Sequence, residues 1–122
     1  MSCIFCDVAD VKIISQNEYA RAIIDEFPVN RGHALIVPKR HIEDFEELTD
    51  NEILDIMSLT KEVKKIIGDI FGVDGYNFGV NLGEHAGQTV KHLHFHLIPR
   101  FEGDVDDPTG GIRGVIPHRQ KY

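Results

Sequence analysis

Three histidines on alternate residues mark the segment KHLHFHLIPR, residues 91–100, where His92, His94 and His96 are separated by Leu93, Phe95 and Leu97. Side chains alternate across a strand, so the spacing predicts three imidazoles on one face, roughly 6.6 Å apart, with the apolar partners on the other. An imidazole has an unperturbed pKa of about 6.5, so at neutral pH it offers a lone pair to phosphorus or to a metal ion. Three readings follow: a metal tripod, a nucleophile with helpers, or a row of hydrogen-bonded histidines at the edge of the core. Cys3 and Cys6, the only cysteines, form C-I-F-C near the start of the chain. A redox pair would sit at a strand–helix junction in a βαβ unit, and no such unit surrounds them. Two thiolates at this spacing supply half of a tetrahedral zinc site, which two imidazoles from elsewhere would complete; the alternative is two reduced cysteines with no metal. Before the histidines, Gly87-Gln88-Thr89 offers backbone N–H groups, an amide and a hydroxyl suited to phosphate oxygens, or else an ordinary glycine turn.

These groups must be carried by a scaffold. A chain of 122 residues predicts one domain over 1–122, able to bury about two-thirds of the surface it exposes when unfolded, so size alone requires no metal. The period of the apolar residues changes several times, which predicts a single α+β unit. Residues 12–15 and 19–25 read as two short strands around a turn at 16–18, and residues 33–38 as a third. The short connections favour antiparallel pairing. Thr49 with Glu52 forms a capping-box pattern, and Ile53, Met57, Val63, Ile66, Ile67 and Ile70 recur at helical spacing until Gly72. Residues 76–82 and 92–98 supply two more strands. From 103 onward the Pro/Gly/Asp-rich tail reads as irregular.

The net charge of −7 argues against a generic grip on nucleic acid, which needs a basic face. No apolar run reaches the eighteen or so residues of a membrane span, and no basic-then-apolar leader opens the chain. The expectation is a cytoplasmic protein with neither nucleic acid nor membrane as partner.

The run A-G-Q-T-V-K-H-L-H-F-H-L-I-P-R, with D-E-F-P-V-N-R-G-H-A-L-I-V-P-K-R-H-I upstream, resembles the histidine triad (HIT) family of nucleotide hydrolases and transferases. The likeness runs over a core of about 3–104 and leaves the tail, 105–122, unexplained. It implies an antiparallel five-stranded sheet with one long helix and a short helical segment. It also implies His94 as the nucleophile that attacks the α-phosphorus of a purine nucleotide derivative, giving a covalent nucleotidyl-histidine that water hydrolyses. His96 would face the phosphate and leaving group, with Gln88 and Thr89 on phosphate oxygens, Asn81 and Gly87 shaping the pocket, and Asp25 accepting from the ribose. Ile4, Phe5, Val8 and Ile23 are candidates for a base slot, though each is also an ordinary core residue, and His33 lies near the pocket without a role. The zinc-bearing branch of the family implies that Cys3, Cys6, His41 and His92 hold a structural zinc, with no organic cofactor, and that the protein is a homodimer. The motif block is similar to dinucleoside polyphosphate hydrolases and the N-terminal half to the branch that cleaves nucleoside phosphoramidates. The competing readings are a nonenzymatic zinc module that binds a nucleotide or partner, and a three-histidine catalytic metal site. Arg100, Arg113, Arg119 and Lys121 either reach a polyphosphate or solubilise the tail.

Overall fold

Alternating and helical patterns resolve into five strands and one long helix in the computed structural model, which describes residues 3–122. The strands are β1 (Ile13–Gln16), β2 (Ala20–Ile24), β3 (Ala34–Pro38), β4 (Gly75–Val80) and β5 (Phe95–Arg100), in the order β1-β2-β3-β5-β4. Every pairing is antiparallel. The strands are a little shorter than the sequence pattern suggested: Lys12 sits in a 3-10 turn, Asp10–Lys12, and a bulge interrupts β1 between Ile13 and Ser15.

The helix α1 (Asp50–Phe71) begins where expected. Thr49 accepts from the Glu52 backbone N–H at 3.2 Å, and the Glu52 carboxylate accepts from the Thr49 N–H at 2.9 Å. It ends at Gly72, which adopts φ 63°, a left-handed conformation that costs glycine little. Arg40 donates to both oxygens of Glu52, at 3.1 and 2.9 Å, and holds that carboxyl well below the usual range. The pair ties the turn after β3 to the helix and so fixes the position of the next residue, His41.

The buried stripe of the helix matches the expected one at Val63 and Ile67 and departs from it in the first turns and at the end. Ile56, Leu59, Val63 and Ile67 are the buried stripe, packed on Ala20, Ala22, Ala34, Ile36, Leu93, Phe95 and Leu97. Ile53, Met57 and Ile70 lie to the sides and are 36%, 39% and 67% exposed. The alanines of β2 and β3 present small surfaces on which the helix seats.

The three histidines do not all belong to a regular strand. Ladder pairing starts at Phe95, opposite Ile36 and Val80, so only His96 lies within β5, while His92 and His94 precede it. On one side the neighbour has run out, since β4 ends at Val80, the partner of Phe95; on the other, pairing with β3 stops at Ile36, two residues before that strand ends at Pro38. The alternation nonetheless persists. Leu93, Phe95 and Leu97 enter the helix-facing core, and the imidazoles take the opposite face, where Phe5, Ile23, Leu35 and Val37 form a second apolar cluster.

The tail is ordered rather than irregular. It contains 3-10 turns at Gly111–Val115 and Pro117–Arg119. Ile112 lies on Gly79, where a Cβ would approach its Cδ1 to 3.1 Å, and Gly79 is the register partner of His96. The tail cations are occupied: Arg113 donates to the carbonyls of Gln120 and Arg119, and Lys121 is 3.6 Å from Asp107. Arg100 donates to Asp104 at 2.8 Å and to Asn77 at 2.7 Å. Arg100, Arg113 and Lys121 thus have partners within the chain. No helix among the described residues is long and apolar enough to cross a membrane.

Candidate active site and metal centre

A cleft of about 500 Å³ lies between the tail and the ends of β4 and β5, lined by Asn77, Arg100 and Asp104 among others, and the triad histidines are not part of its wall. The triad histidines lie instead on the sheet face away from the helix, beside Phe5.

Two of the imidazoles, His94 and His92, have their tautomers set by a hydrogen bond to a backbone carbonyl, whose direction is unambiguous. His94 Nδ1 lies 2.8 Å from the His92 carbonyl oxygen. A carbonyl only accepts, so Nδ1 carries the proton and Nε2 keeps a bare lone pair. His92 is oriented the other way round: its Nε2 donates to the Pro38 carbonyl at 2.9 Å, which leaves Nδ1 bare. That nitrogen faces Cys3 Sγ at 3.4 Å, Cys6 Sγ at 3.5 Å and His41 Nδ1 at 3.2 Å, and Cys6 Sγ is 3.3 Å from His41 Nδ1.

Four donor atoms so placed are the corners of a small polyhedron. With Zn–S of about 2.3 Å and Zn–N of about 2.0 Å, a tetrahedral zinc would have S···N edges of about 3.5 Å and an N···N edge of about 3.3 Å. The observed edges match, and the cluster could hold a metal ion with Cys3, Cys6, His41 and His92 as its complete ligand set.

A second group, Asp25, His33 and His96, also brings three ligand-type atoms within 4.8 Å of one another. Its protons argue against a metal. The Val29 backbone N–H donates to His33 Nδ1 at 3.0 Å, so the proton of a neutral His33 is on Nε2. That N–H faces His96 Nδ1 at 3.0 Å and Asp25 Oδ2 at 3.3 Å, presenting a donor where a metal needs a lone pair. His96 Nδ1 therefore accepts, and its own proton sits on Nε2. The triad ends with opposite tautomers side by side: a bare Nε2 on His94 and an Nε2–H on His96, with ring centroids 5.2 Å apart.

Burial favours the neutral form of His33 and His96. It lowers the pKa of His33 against the pull of Asp25, and lowers that of His96 to about 4, helped by the neighbouring His94 and His33. The sign for stability follows. An unfolded histidine binds a proton near pH 6.5, whereas folded His96 resists until about 4, so the unfolded state takes up more protons between these values. Stability is complete above about pH 6.5 and falls as the pH drops toward 4. Chemical unfolding at several pH values should show this slope, and His96→Asn should flatten it; an unchanged slope would show that His96 is not the titrating group.

The remaining sequence candidates fall as follows. Asp25 stands at the end of β2, its Oδ1 accepting from the Phe27 N–H at 2.8 Å and its Oδ2 beside His33. Asn81 follows Val80, whose register partner is Phe95, and this sets it alongside His94. Gly87 has φ 95°, a conformation that favours glycine in the loop leading to His92. Gln88 closes that loop, accepting from the Gly83 N–H at 2.9 Å and donating to the Val90 carbonyl at 3.1 Å, so its amide shapes the loop. Thr89 is exposed. Of the four slot candidates, Phe5 and Ile23 are buried, Val8 is half-buried, and Ile4 is 66% exposed. Sequence reasoning left His33 without a role because its partner, His96, lies 63 residues away.

The family model described as the HIT domain matches residues 7–103. The chain belongs to the HIT family. An uncharacterised HIT-like protein of Methanocaldococcus jannaschii is 42% identical over 106 residues, covering 84% of this chain and 81% of that one. The adenosine 5'-monophosphoramidase of Schizosaccharomyces pombe is 41% identical, covering 82% and 75%. The AP-4-A phosphorylase of Mycobacterium tuberculosis is 35% identical over 86% of this chain but only 55% of its own length. Among solved structures, a histidine triad nucleotide-binding protein of Sulfolobus tokodaii superposes with a TM-score of 0.77 at 35% identity, covering 86% of this chain and 73% of that one. A zinc-bound histidine triad family protein of Mycobacterium smegmatis superposes with a TM-score of 0.75 at 31% identity, covering 84% and 78%. These matches establish the HIT fold for the five-stranded sheet and its helix.

Proposed function

We propose that this HIT protein is a nucleotide hydrolase acting at the α-phosphate of purine nucleotide derivatives, either dinucleoside polyphosphates or nucleoside phosphoramidates, through a covalent nucleotidyl-histidine. The observation that carries the reading is the bare Nε2 of His94, held by the bond from Nδ1 to the His92 carbonyl. That nitrogen attacks the α-phosphorus, a P–N bond forms, and the bond to the leaving group breaks. His96 directs its Nε2–H at a phosphate oxygen, where negative charge grows. An anhydride leaving group departs as a phosphate anion and needs no proton. A phosphoramidate nitrogen must take one, and the substrate's negative charge beside His96 raises that imidazole's pKa toward the range in which it carries one. Water then attacks the phosphorus of the nucleotidyl-histidine: a P–O bond forms, the P–N bond breaks with its electron pair returning to His94 Nε2, and the water's proton is released to solvent.

In this reading Asp25 meets the ribose hydroxyls, and Asn81, Gly87, Gln88 and Thr89 form the phosphate-binding edge. His33 acts through His96 by keeping its proton on Nε2. Zinc at Cys3, Cys6, His41 and His92 fastens the N-terminal segment to the sheet as a structural ion. A homodimer in the cytoplasm completes the proposal. Support for the substrate class comes from the relatives whose names specify a phosphoramidase and an AP-4-A phosphorylase.

The test is a quenched reaction with diadenosine polyphosphate and, in parallel, with adenosine phosphoramidate, analysed by mass spectrometry. An adenylyl adduct should map to the peptide containing His94, and the ratio of the two rates identifies the substrate class. Binding of both compounds without turnover would establish the nonenzymatic module instead.

A further inference from the structure

Phe5 occupies an unusual position between the two centres. Its ring centroid is 4.9 Å from that of His94, tilted by 53°, and 5.9 Å from that of His92, edge-on at 89°. It is 6% exposed, in a cluster with Ile23, Leu35 and Val37. Its backbone belongs to the turn in which the Cys6 and Asp7 N–H groups both donate to the Cys3 carbonyl, at 3.1 and 2.9 Å. The two cysteines of the metal cluster therefore flank the residue that presses on the proposed nucleophile.

We infer that Phe5 is a positioning residue for His94, and that Cys3 and Cys6, drawn onto a metal ion on either side of it, hold its ring in place. The inference rests on the reading of His94 as the nucleophile. An imidazole fixed by one hydrogen bond still has the freedom to swing about that bond. An aromatic ring packed at a tilt against it restricts that freedom and keeps water away from the Nδ1–H···O=C bond, which water would otherwise replace. Phe5 is thus more than a wall of a base slot: it acts on His94 whether or not a base is present. The metal centre reaches the nucleophile by two routes, through the His92 carbonyl and through Phe5.

Long-range proton–nitrogen spectra of the 15N-labelled, zinc-loaded full chain read the tautomer directly, with the His94 signals assigned by their loss in His94→Asn. The parent should show one tautomer, Nδ1 protonated and Nε2 bare. In Phe5→Leu, which keeps an apolar side chain, the two nitrogens should move toward averaged shifts while bound zinc stays at the parent level. The single-turnover rate of adduct formation should fall about ten- to hundredfold, as for a misplaced reacting group, with nucleotide affinity little changed. If Phe5→Leu does not fold, Phe5→Met carries the same expectations. Chelating the zinc from the parent, at a temperature where it stays folded, should give the same averaging.

A single tautomer retained in the Phe5 variant overturns the positioning role, as does a defect confined to nucleotide affinity. A metal-free parent that keeps one tautomer overturns the clamp. A parent that turns over no nucleotide, yet shows the averaging in Phe5→Leu, refutes the hydrolase reading and with it the catalytic purpose of the positioning, while the hold of Phe5 on the His94 tautomer stands.

Discussion

His94→Asn should abolish turnover by at least about a thousandfold while leaving the fold almost untouched. The asparagine amide retains a donor for the His92 carbonyl, so the buried acceptor that His94 satisfies at 2.8 Å keeps a partner. The expected stability loss is about 1 kcal/mol, in the ordinary range for a substitution that orphans no buried group. What disappears is the lone pair that forms the bond to phosphorus, for which an amide nitrogen is no substitute. Initial rates, nucleotide affinity and thermal melting on one preparation decide it. Residual turnover within about tenfold of the parent would remove His94 from the role of nucleophile, and an adduct found on His96 alone would reverse the two assignments.

Cys6→Ser should produce the complementary pattern. Cys6 Sγ is within 3.5 Å of both His41 and His92 nitrogens, so its loss leaves three ligands and a weakened metal site. A metal that binds only the folded arrangement stabilises it by mass action, about 4 kcal/mol when free zinc exceeds its Kd a thousandfold. For a chain of this size that corresponds to a melting temperature lower by roughly 10–20 °C. Turnover below the new melting point should persist, reduced no further than a Phe5 substitution reduces it and far short of the loss in His94→Asn. Metal content, melting temperature and rate are the three readings required. Should folded Cys6→Ser lose activity as completely as His94→Asn, the separation of a structural ion from the chemistry would fail.

Much of this was legible in local patterns, and the exceptions share a cause. Thr49, Glu52 and Gly72 announced the helix because capping is a matter of neighbouring backbone groups. The spacing of C-I-F-C and of the alternate histidines marked them as candidate ligands or nucleophiles, while the division of roles among the histidines was implied only by the family resemblance. The phase of the helix was not legible in its first turns and at its end: Ile53, Met57 and Ile70 are as apolar as Ile56, Leu59 and Ile67, and only the alanine-lined sheet decides which stripe is buried. The start of β5 at Phe95 coincides with the end of β4 at Val80, far away in the chain. His33 and His96 are joined by a bond across 63 residues, and which nitrogen carries the proton depends on the Val29 amide. The tail cations looked available because their partners are carbonyls and carboxylates with no distinctive spacing.

The group that orients His94 is a main-chain carbonyl, and this has a consequence for how the protein can change. No side-chain replacement deletes that oxygen, so an alanine scan passes over the acceptor that fixes the tautomer of the proposed nucleophile. Substitution at position 92 strips an imidazole from the metal cluster while the carbonyl of the same residue stays in the backbone. A lineage could therefore discard its metal centre one ligand at a time and still inherit an aimed imidazole at position 94, provided another contact takes over the work of holding the N-terminal segment down. Reactivity stored in the backbone is heritable independently of the side chain that carries it.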